Sequence, residues 1–261
     1  LRLHCIDTGR VEGGGAIRPL VVLHGLFGSA DNWRSHLKQW QAARRVIAVD
    51  LRNHGRSPHA EGMAYATMAD DVIALMDALE IEAFDLLGHS MGGKVAMTLA
   101  RQFPDRVARL VVADIAPVAY RHGHDEIFAA MRRVEAERPE SRREADALMA
   151  ETIDSTATRQ FLATNLLRDD AGVMRWRVGL DEIAAGYDDI IAPPDGDRPY
   201  DGPALLVRGG NSHYVPDRYR GAIEEVMPKV RIETLEGAGH WLHAEQPAAF
   251  RDAVDRFLAE S

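Results

Sequence analysis

The chain has 261 residues, 46% of them hydrophobic, and a formal net charge of -9, which suits one large core better than two full domains. The acidic balance argues against nucleic acid or an anionic membrane surface as a partner, and a single cysteine, Cys5, excludes an internal disulfide framework. No apolar run approaches the roughly 20 residues that span a bilayer, and the start lacks the basic-then-apolar pattern of a signal peptide, so a reducing, cytoplasmic location is expected.

In chain order, Arg2 to Ile6 alternates in polarity and gives way at Gly9 to a turn-rich stretch with Gly13-Gly14-Gly15, the pattern of an edge hairpin. Pro19 to Leu23 is a continuous apolar run leading into His24-Gly25, as expected of a strand buried on both faces of a parallel sheet. A helix is expected around Asn32 to Gln41, then a second buried strand, Arg45 to Asp50, running into a polar loop with Arg52, Asn53 and His54. Thr67 with Asp70 resembles a capping start for a helix whose Met68, Val72, Leu75, Met76 and Leu79 share one face. Phe84 to Leu87 forms the next strand and ends in Gly88-His89-Ser90-Met91-Gly92-Gly93, after which a helix runs to Gln102, before Pro104. Val107 to Ala113 is a strand ending at Asp114.

From about Val118 to Ile191 the strand-helix rhythm gives way to charged helical segments, closed by Ala192-Pro193-Pro194-Asp195-Gly196. This predicts a helical cap, residues 118–194, inserted into a core formed by residues 1–117 and 195–261. The sheet pattern resumes with Ala204 to Val207, a helix from near Asp217, and a last strand, Val230 to Leu235, that runs into Gly239-His240-Trp241 and a closing helix.

Alternating strands and helices imply a mostly parallel sheet, whose ligands bind beyond the carboxyl ends of the strands. Every chemically suggestive residue lies at such an end. Ser90 sits in a G-x-S-x-G turn, which exposes a serine at a strained strand-to-helix corner. Serine needs a base to take its proton, and His240, flanked by Gly239, follows the last strand. The order serine, acid, histidine is that of the α/β-hydrolases.

On these residues the chain resembles an α/β-hydrolase, and more narrowly the small bacterial esterases related to eukaryotic abhydrolase-domain 11 proteins. The resemblance rests on His24 to Gly28 with Asn32-Trp33, Asp50 to Gly55 with Ser57-Pro58-His59, Gly88 to Lys94, Asp114 to Pro117, Arg208 to Ser212, and Gly239-His240-Trp241 with His243 to Glu245. It implies an α/β-hydrolase fold, a mostly parallel central sheet flanked by helices, and a serine carboxyl-ester hydrolase with Ser90 as nucleophile and His240 as base. Backbone N–H groups of Met91 and of Leu26, or of Phe27 in its place, are the expected oxyanion donors.

In the commoner superfamily pattern an aspartate follows the strand at Ala204 to Val207, and this chain has Ser212 there. Asp114 is therefore preferred to Asp217 or Asp201 as the acid, against the plainer reading of a loop-bracing carboxylate. Ser212, Asn53 and His54 are read as supporting groups, and Phe27, Trp33, Trp176 and Tyr214 as pocket residues, although ordinary packing would also explain these aromatics. His122-Gly123-His124-Asp125-Glu126 resembles a metal cluster but lacks the aspartate-histidine ending of the hydrolytic motif, so no metal and no cofactor are expected. An acyl-CoA thioesterase is the near alternative, with Arg132, Arg133, Arg142 and Arg143 as a basic cap pocket. A non-catalytic ligand-binding protein on the same fold is the alternative from another class. A haloalkane dehalogenase is disfavoured because its elbow carries an aspartate where Ser90 stands. The expected partner is a small-molecule ester or thioester.

Overall fold

The computed structural model describes residues 1–11 and 17–260; the expected turn at Gly13 to Gly15 lies outside the described residues. Among these, the main sheet has seven strands. They are β1 (Cys5–Asp7), β2 (Leu20–Leu23), β3 (Val46–Val49), β4 (Phe84–His89) and β5 (Val107–Ala113), then, after a separate ribbon of β6 (Leu166–Arg168) and β7 (Met174–Trp176), β8 (Ala204–Gly209) and β9 (Val230–Leu235). Helices α1 (Arg34–Trp40), α2 (Tyr65–Ala78) and α3 (Met91–Gln102) alternate with the first strands. Between β5 and β8 come α4 (Asp125–Glu137), α5 (Arg142–Met149), α6 (Thr156–Ala163), α7 (Leu180–Ala185) and α8 (Tyr187–Ile191). The chain ends with α9 (Arg220–Val226), α10 (Leu242–Glu245) and α11 (Pro247–Leu258).

The strand order is β1-β3-β2-β4-β5-β8-β9, parallel throughout except for β1 against β3. Successive strand residues point to opposite faces, and the core divides accordingly. Val21, Leu23, Ile47, Leu86 and Val112 pack with α2 and α3 on one side, whereas Leu20, Val22, Leu87, Val111 and Val207 meet Trp33, Trp40, Phe250 and Phe257 on the other. Val21, Val22, Leu86, Leu87, Val111 and Val112 are fully buried, each contributing roughly 1.5–3 kcal/mol. The central strands are thus a rigid frame for whatever sits at their ends.

Three local expectations are corrected. β1 is an edge strand but pairs with β3, Ile6 opposite Ala48, rather than forming a hairpin with β2, because both edges of β2 are occupied by β3 and β4. Helix α2 starts at Tyr65 rather than at Thr67. Its Ala66 N–H is received by the Asp195 carboxylate at 2.8 Å, a partner far away in sequence. The segment between β5 and β8 is not purely helical: β6 and β7 form an antiparallel ribbon, Leu167 opposite Arg175. Its turn is held by the Asp169 side chain, which accepts from Ala171 and Val173 N–H at 3.0 and 2.9 Å.

From β2 the chain moves outward to β3 and then returns to place β4 on the other side of β2. The carboxyl ends of β2 and β4 therefore flank a topological switch point, where a crevice opens in parallel sheets. The loop after β2 carries Gly25-Leu26-Phe27, and the end of β4 carries Ser90.

Candidate active site

Ser90 joins β4 to α3 with φ 53° and ψ -121°, left-handed backbone that a non-glycine residue adopts only under constraint. The neighbouring glycines supply the room. A Cβ on Gly88 would stand 2.1 Å from the Gly92 carbonyl oxygen, and one on Gly92 would stand 2.4 Å from that of His24. The turn is tied down by Ser90 N–H donating to the Ala113 carbonyl at 3.0 Å and by Gly93 N–H donating to the Ser90 carbonyl at 2.8 Å.

His240, in the loop after β9, places Nε2 2.9 Å from Ser90 Oγ and Nδ1 2.7 Å from Asp114 Oδ2. Asp114 is completely buried at the end of β5, with φ 51°. Its N–H donates to the Val207 carbonyl at 2.8 Å. Its Oδ1 accepts from Gly209 N–H at 2.9 Å, and Oδ2 accepts a second hydrogen bond, from the Ser212 hydroxyl. The carboxylate is thus held by groups from the end of β8 and the loop after it and presented to the imidazole. The other candidate acids stand elsewhere: Asp217 pairs at the surface with Arg208 at 2.7 Å, and Asp201 is exposed.

The loop after β2 carries the two oxyanion alternatives. Phe27 N–H donates to His54 Nε2 at 3.1 Å, and the Phe27 carbonyl accepts from Asn165 Nδ2 at 2.7 Å. Both backbone polar groups of Phe27 are thus already engaged, its N–H by His54 and its carbonyl by Asn165. Met91 begins α3, and N–H groups in a first helical turn have no intrahelical acceptor and carry the positive end of the helix dipole. His54 is held in turn by its Nδ1 against the Arg52 carbonyl at 2.8 Å. Asn53 closes its own loop through Ala60 N–H at 2.8 Å and receives Gly179 N–H on its carbonyl at 2.8 Å.

A layer of buried histidines lies behind His240. His89 Nε2 donates to the His240 carbonyl at 2.9 Å, and the His243 ring stacks on Trp33 with centroids 4.6 Å apart. Burial pushes His89 well below the usual imidazole value, reinforced by His243 and His240, and pushes His54 and His243 down to about 3. These rings are neutral at working pH, so none opposes a positive charge on His240. Its other face stacks on Tyr214, centroids 3.9 Å apart and planes within 21°.

A cavity of about 750 Å³ opens over Ser90 and His240, walled by Phe27, Trp33 and Tyr214 among the expected pocket residues. Trp176 does not join them: its buried indole donates to the Met131 carbonyl at 2.9 Å, so it packs against α4 as a core residue. Sequence reasoning missed Phe161 and Trp241, whose rings lie 5.2 Å apart in the cavity wall, and Tyr65, Lys94, Tyr120 and His124, which also line it. A lysine inside a helix buried almost throughout was the available signal. Arg132, Arg133, Arg142 and Arg143 do not form a basic pocket. Arg132 pairs with Asp181 at 2.5 Å and Arg133 with Glu151 at 2.8 Å, Arg142 donates to the Leu166 carbonyl at 2.7 Å, and Arg143 is exposed. Among the described residues, no group of three or more His, Cys, Asp or Glu side chains is placed to hold a metal ion, and no helix is long and apolar enough to cross a membrane.

Comparison with known proteins adds an independent line. The family model for the alpha/beta hydrolase fold matches residues 18–247. The mouse sn-1-specific diacylglycerol lipase ABHD11 is 42% identical over 257 residues, covering 95% of this chain and 83% of the relative. The Escherichia coli K12 esterase YbfF is 38% identical, covering 92% of each chain. A solved marine microorganism esterase superposes with a TM-score of 0.91 at 37% identity, over 98% of this chain and 99% of that one.

Proposed function

Because the chain belongs to the alpha/beta hydrolase family and is an esterase/lipase-type hydrolase by its relatives, we propose that it is a serine carboxyl-ester hydrolase acting through Ser90, His240 and Asp114. One observation carries this reading: a continuous hydrogen-bonded line from Ser90 Oγ to His240 Nε2 at 2.9 Å and from His240 Nδ1 to Asp114 at 2.7 Å.

His240 takes the hydroxyl proton as Ser90 Oγ attacks the ester carbonyl, and Asp114 stabilises the imidazolium and fixes its tautomer. The tetrahedral oxyanion is received by the N–H groups of Leu26 and Met91. Collapse breaks the bond to the alkoxy oxygen, which leaves as the alcohol with the proton from His240. Water, activated by the same imidazole, then hydrolyses the acyl-enzyme and frees the acid. Asn53 and His54 brace the donor loop, and Ser212 holds the carboxylate. Residues 118–194 serve as the cap that shapes the acyl pocket over a core of residues 1–117 and 195–261. The pairing of the cap arginines with acids and carbonyls favours oxygen esters over acyl-CoA.

A fluorophosphonate probe tests this directly: it should label Ser90 in the folded protein and leave Ser90→Ala unlabelled, with p-nitrophenyl butyrate hydrolysed only by the former. Absence of labelling in folded wild type refutes the enzyme reading and favours a non-catalytic binding protein.

A further inference from the structure

Lys94 lies on α3 one helical turn beyond Ser90, with its backbone N–H on the Ser90 carbonyl at 3.2 Å, and is 1% exposed while its side chain lines the substrate cavity. An ammonium has three N–H donors. Two meet the carbonyls of Ile191 and Ala192 at the end of α8, and Nζ stands 4.8 and 5.6 Å from the ring centroids of Tyr120 and Tyr65. Both phenols are already spent as donors, Tyr65 to the Ile190 carbonyl and Tyr120 to the Tyr214 carbonyl. Carbonyl dipoles and ring faces soften the burial of a cation, but neither supplies a full negative charge.

The missing element is an acid. The chain carries 40 Asp and Glu residues, yet among the described residues that line the cavity there is none. Buried cations are ordinarily paired. Burial without an acid partner pulls the Lys94 ammonium down to about 7, so a carboxylate brought into the cavity would find an uncompensated cation and strengthen its charged form. Resting on the esterase reading above, we propose that Lys94 is a specificity-determining residue that selects esters whose acyl chain ends in a carboxylate, the half-esters of short dicarboxylic acids. Charge-assisted hydrogen bonds are the strong kind, and the anion would take the donor not used by α8.

The test compares kcat/KM for monoethyl glutarate and the similarly sized neutral ethyl pentanoate, followed by pH-stat, in wild type and in Lys94→Met. Wild type should favour the glutarate half-ester by about tenfold or more, and the variant should lower the ratio of the two values by at least that factor. Equal use of the two esters by wild type, or a loss in Lys94→Met shared equally by both, as a mere latch on α8 would give, overturns the proposal. Wild type without that preference overturns the proposal whether or not Lys94→Met folds; Lys94→Gln takes its place if it does not, and Arg121→Met, which removes the other cation lining the cavity, should keep the preference, whereas its loss there would overturn the role of Lys94. Fluorophosphonate labelling of Ser90 separates the two readings. Labelling with turnover of the pentanoate but no preference for the half-ester sinks the role of Lys94 alone, whereas no labelling and no turnover of either ester sinks the esterase reading and this one with it.

Discussion

Asp114→Asn replaces one oxygen by an amino group and leaves the shape of the side chain intact, which makes its effect interpretable atom by atom. The carboxylate accepts three hydrogen bonds, with Gly209 N–H on Oδ1 and His240 Nδ1 and the Ser212 hydroxyl on Oδ2. Asparagine offers one acceptor oxygen. If that oxygen stays with Gly209, the amino group faces His240 Nδ1, which must then accept, and the ring proton moves to Nε2. A protonated Nε2 cannot take the proton of Ser90. If the amide flips, two buried donors confront each other at Gly209, at a cost of about 1–3 kcal/mol, and the carboxylate's charge is still gone. The corresponding replacement in the serine-protease triad lowers kcat by about 10⁴, which is about 5.4 kcal/mol of transition-state stabilisation. Turnover of p-nitrophenyl butyrate by Asp114→Asn should fall by that order, with the melting temperature within a few degrees of wild type. Asp217→Asn, at the surface pair with Arg208, should leave turnover unchanged. A folded Asp114→Asn enzyme within tenfold of wild type would remove Asp114 from the proposed triad.

Ser212→Ala removes one donor from Asp114 but keeps Gly209 and His240 on it, so kcat should drop by roughly tenfold, one hydrogen bond to a charged group; a loss as large as that of Asp114→Asn would show Ser212 to be indispensable in its own right. Gly92→Ala drives a methyl to 2.4 Å from the His24 carbonyl oxygen and 2.8 Å from that of Leu23, both on rigid backbone, and should cost about 3 kcal/mol or more, read from the urea midpoint. A near-wild-type midpoint would mean that the elbow relaxes more easily than its packing suggests. His54 and His243 titrate at about 3 in the fold against an ordinary value near 6.5. The unfolded chain therefore binds protons first, and stability is full above about pH 6.5 and declines as pH falls towards 3, by up to about 1.4 kcal/mol per pH unit for each ring. Between pH 7 and pH 5 these two rings should together remove about 4 kcal/mol, and a urea midpoint that holds or rises over that interval would contradict the neutral histidine layer.

The frame of the fold was legible in the sequence because its strands are short, continuous apolar runs that end where the chemistry begins. Val21 and Val22 announce burial on both faces, and Gly88 and Gly92 around Ser90 announce the elbow. What escaped was set by distant partners. Nothing near Thr67 reveals that Asp195 caps α2, and nothing near Trp176 says that its indole meets Met131 rather than the cavity. That the Phe27 N–H is taken up by His54 was equally hidden, because the direction of a peptide N–H is fixed by its acceptor, here 27 residues along the chain. Periodicity could not register β6 and β7, since a strand of three residues is shorter than one helical turn.

The adjacency of β5 and β8, Val112 opposite Leu206, has a consequence for synthesis. On the ribosome β5 emerges about 90 residues before its neighbour, an interval of roughly 5 to 20 s at ordinary elongation rates. During it the nascent sheet ends in an unpaired edge that is apolar except for Arg109, the kind that recruits other chains. Asp114 waits at its tip without the Gly209 and Ser212 donors that later hold it. The enzyme's most vulnerable moment is therefore before it is finished, and slow translation of residues 118–194 should lower the yield of active protein without altering a single contact of the native state.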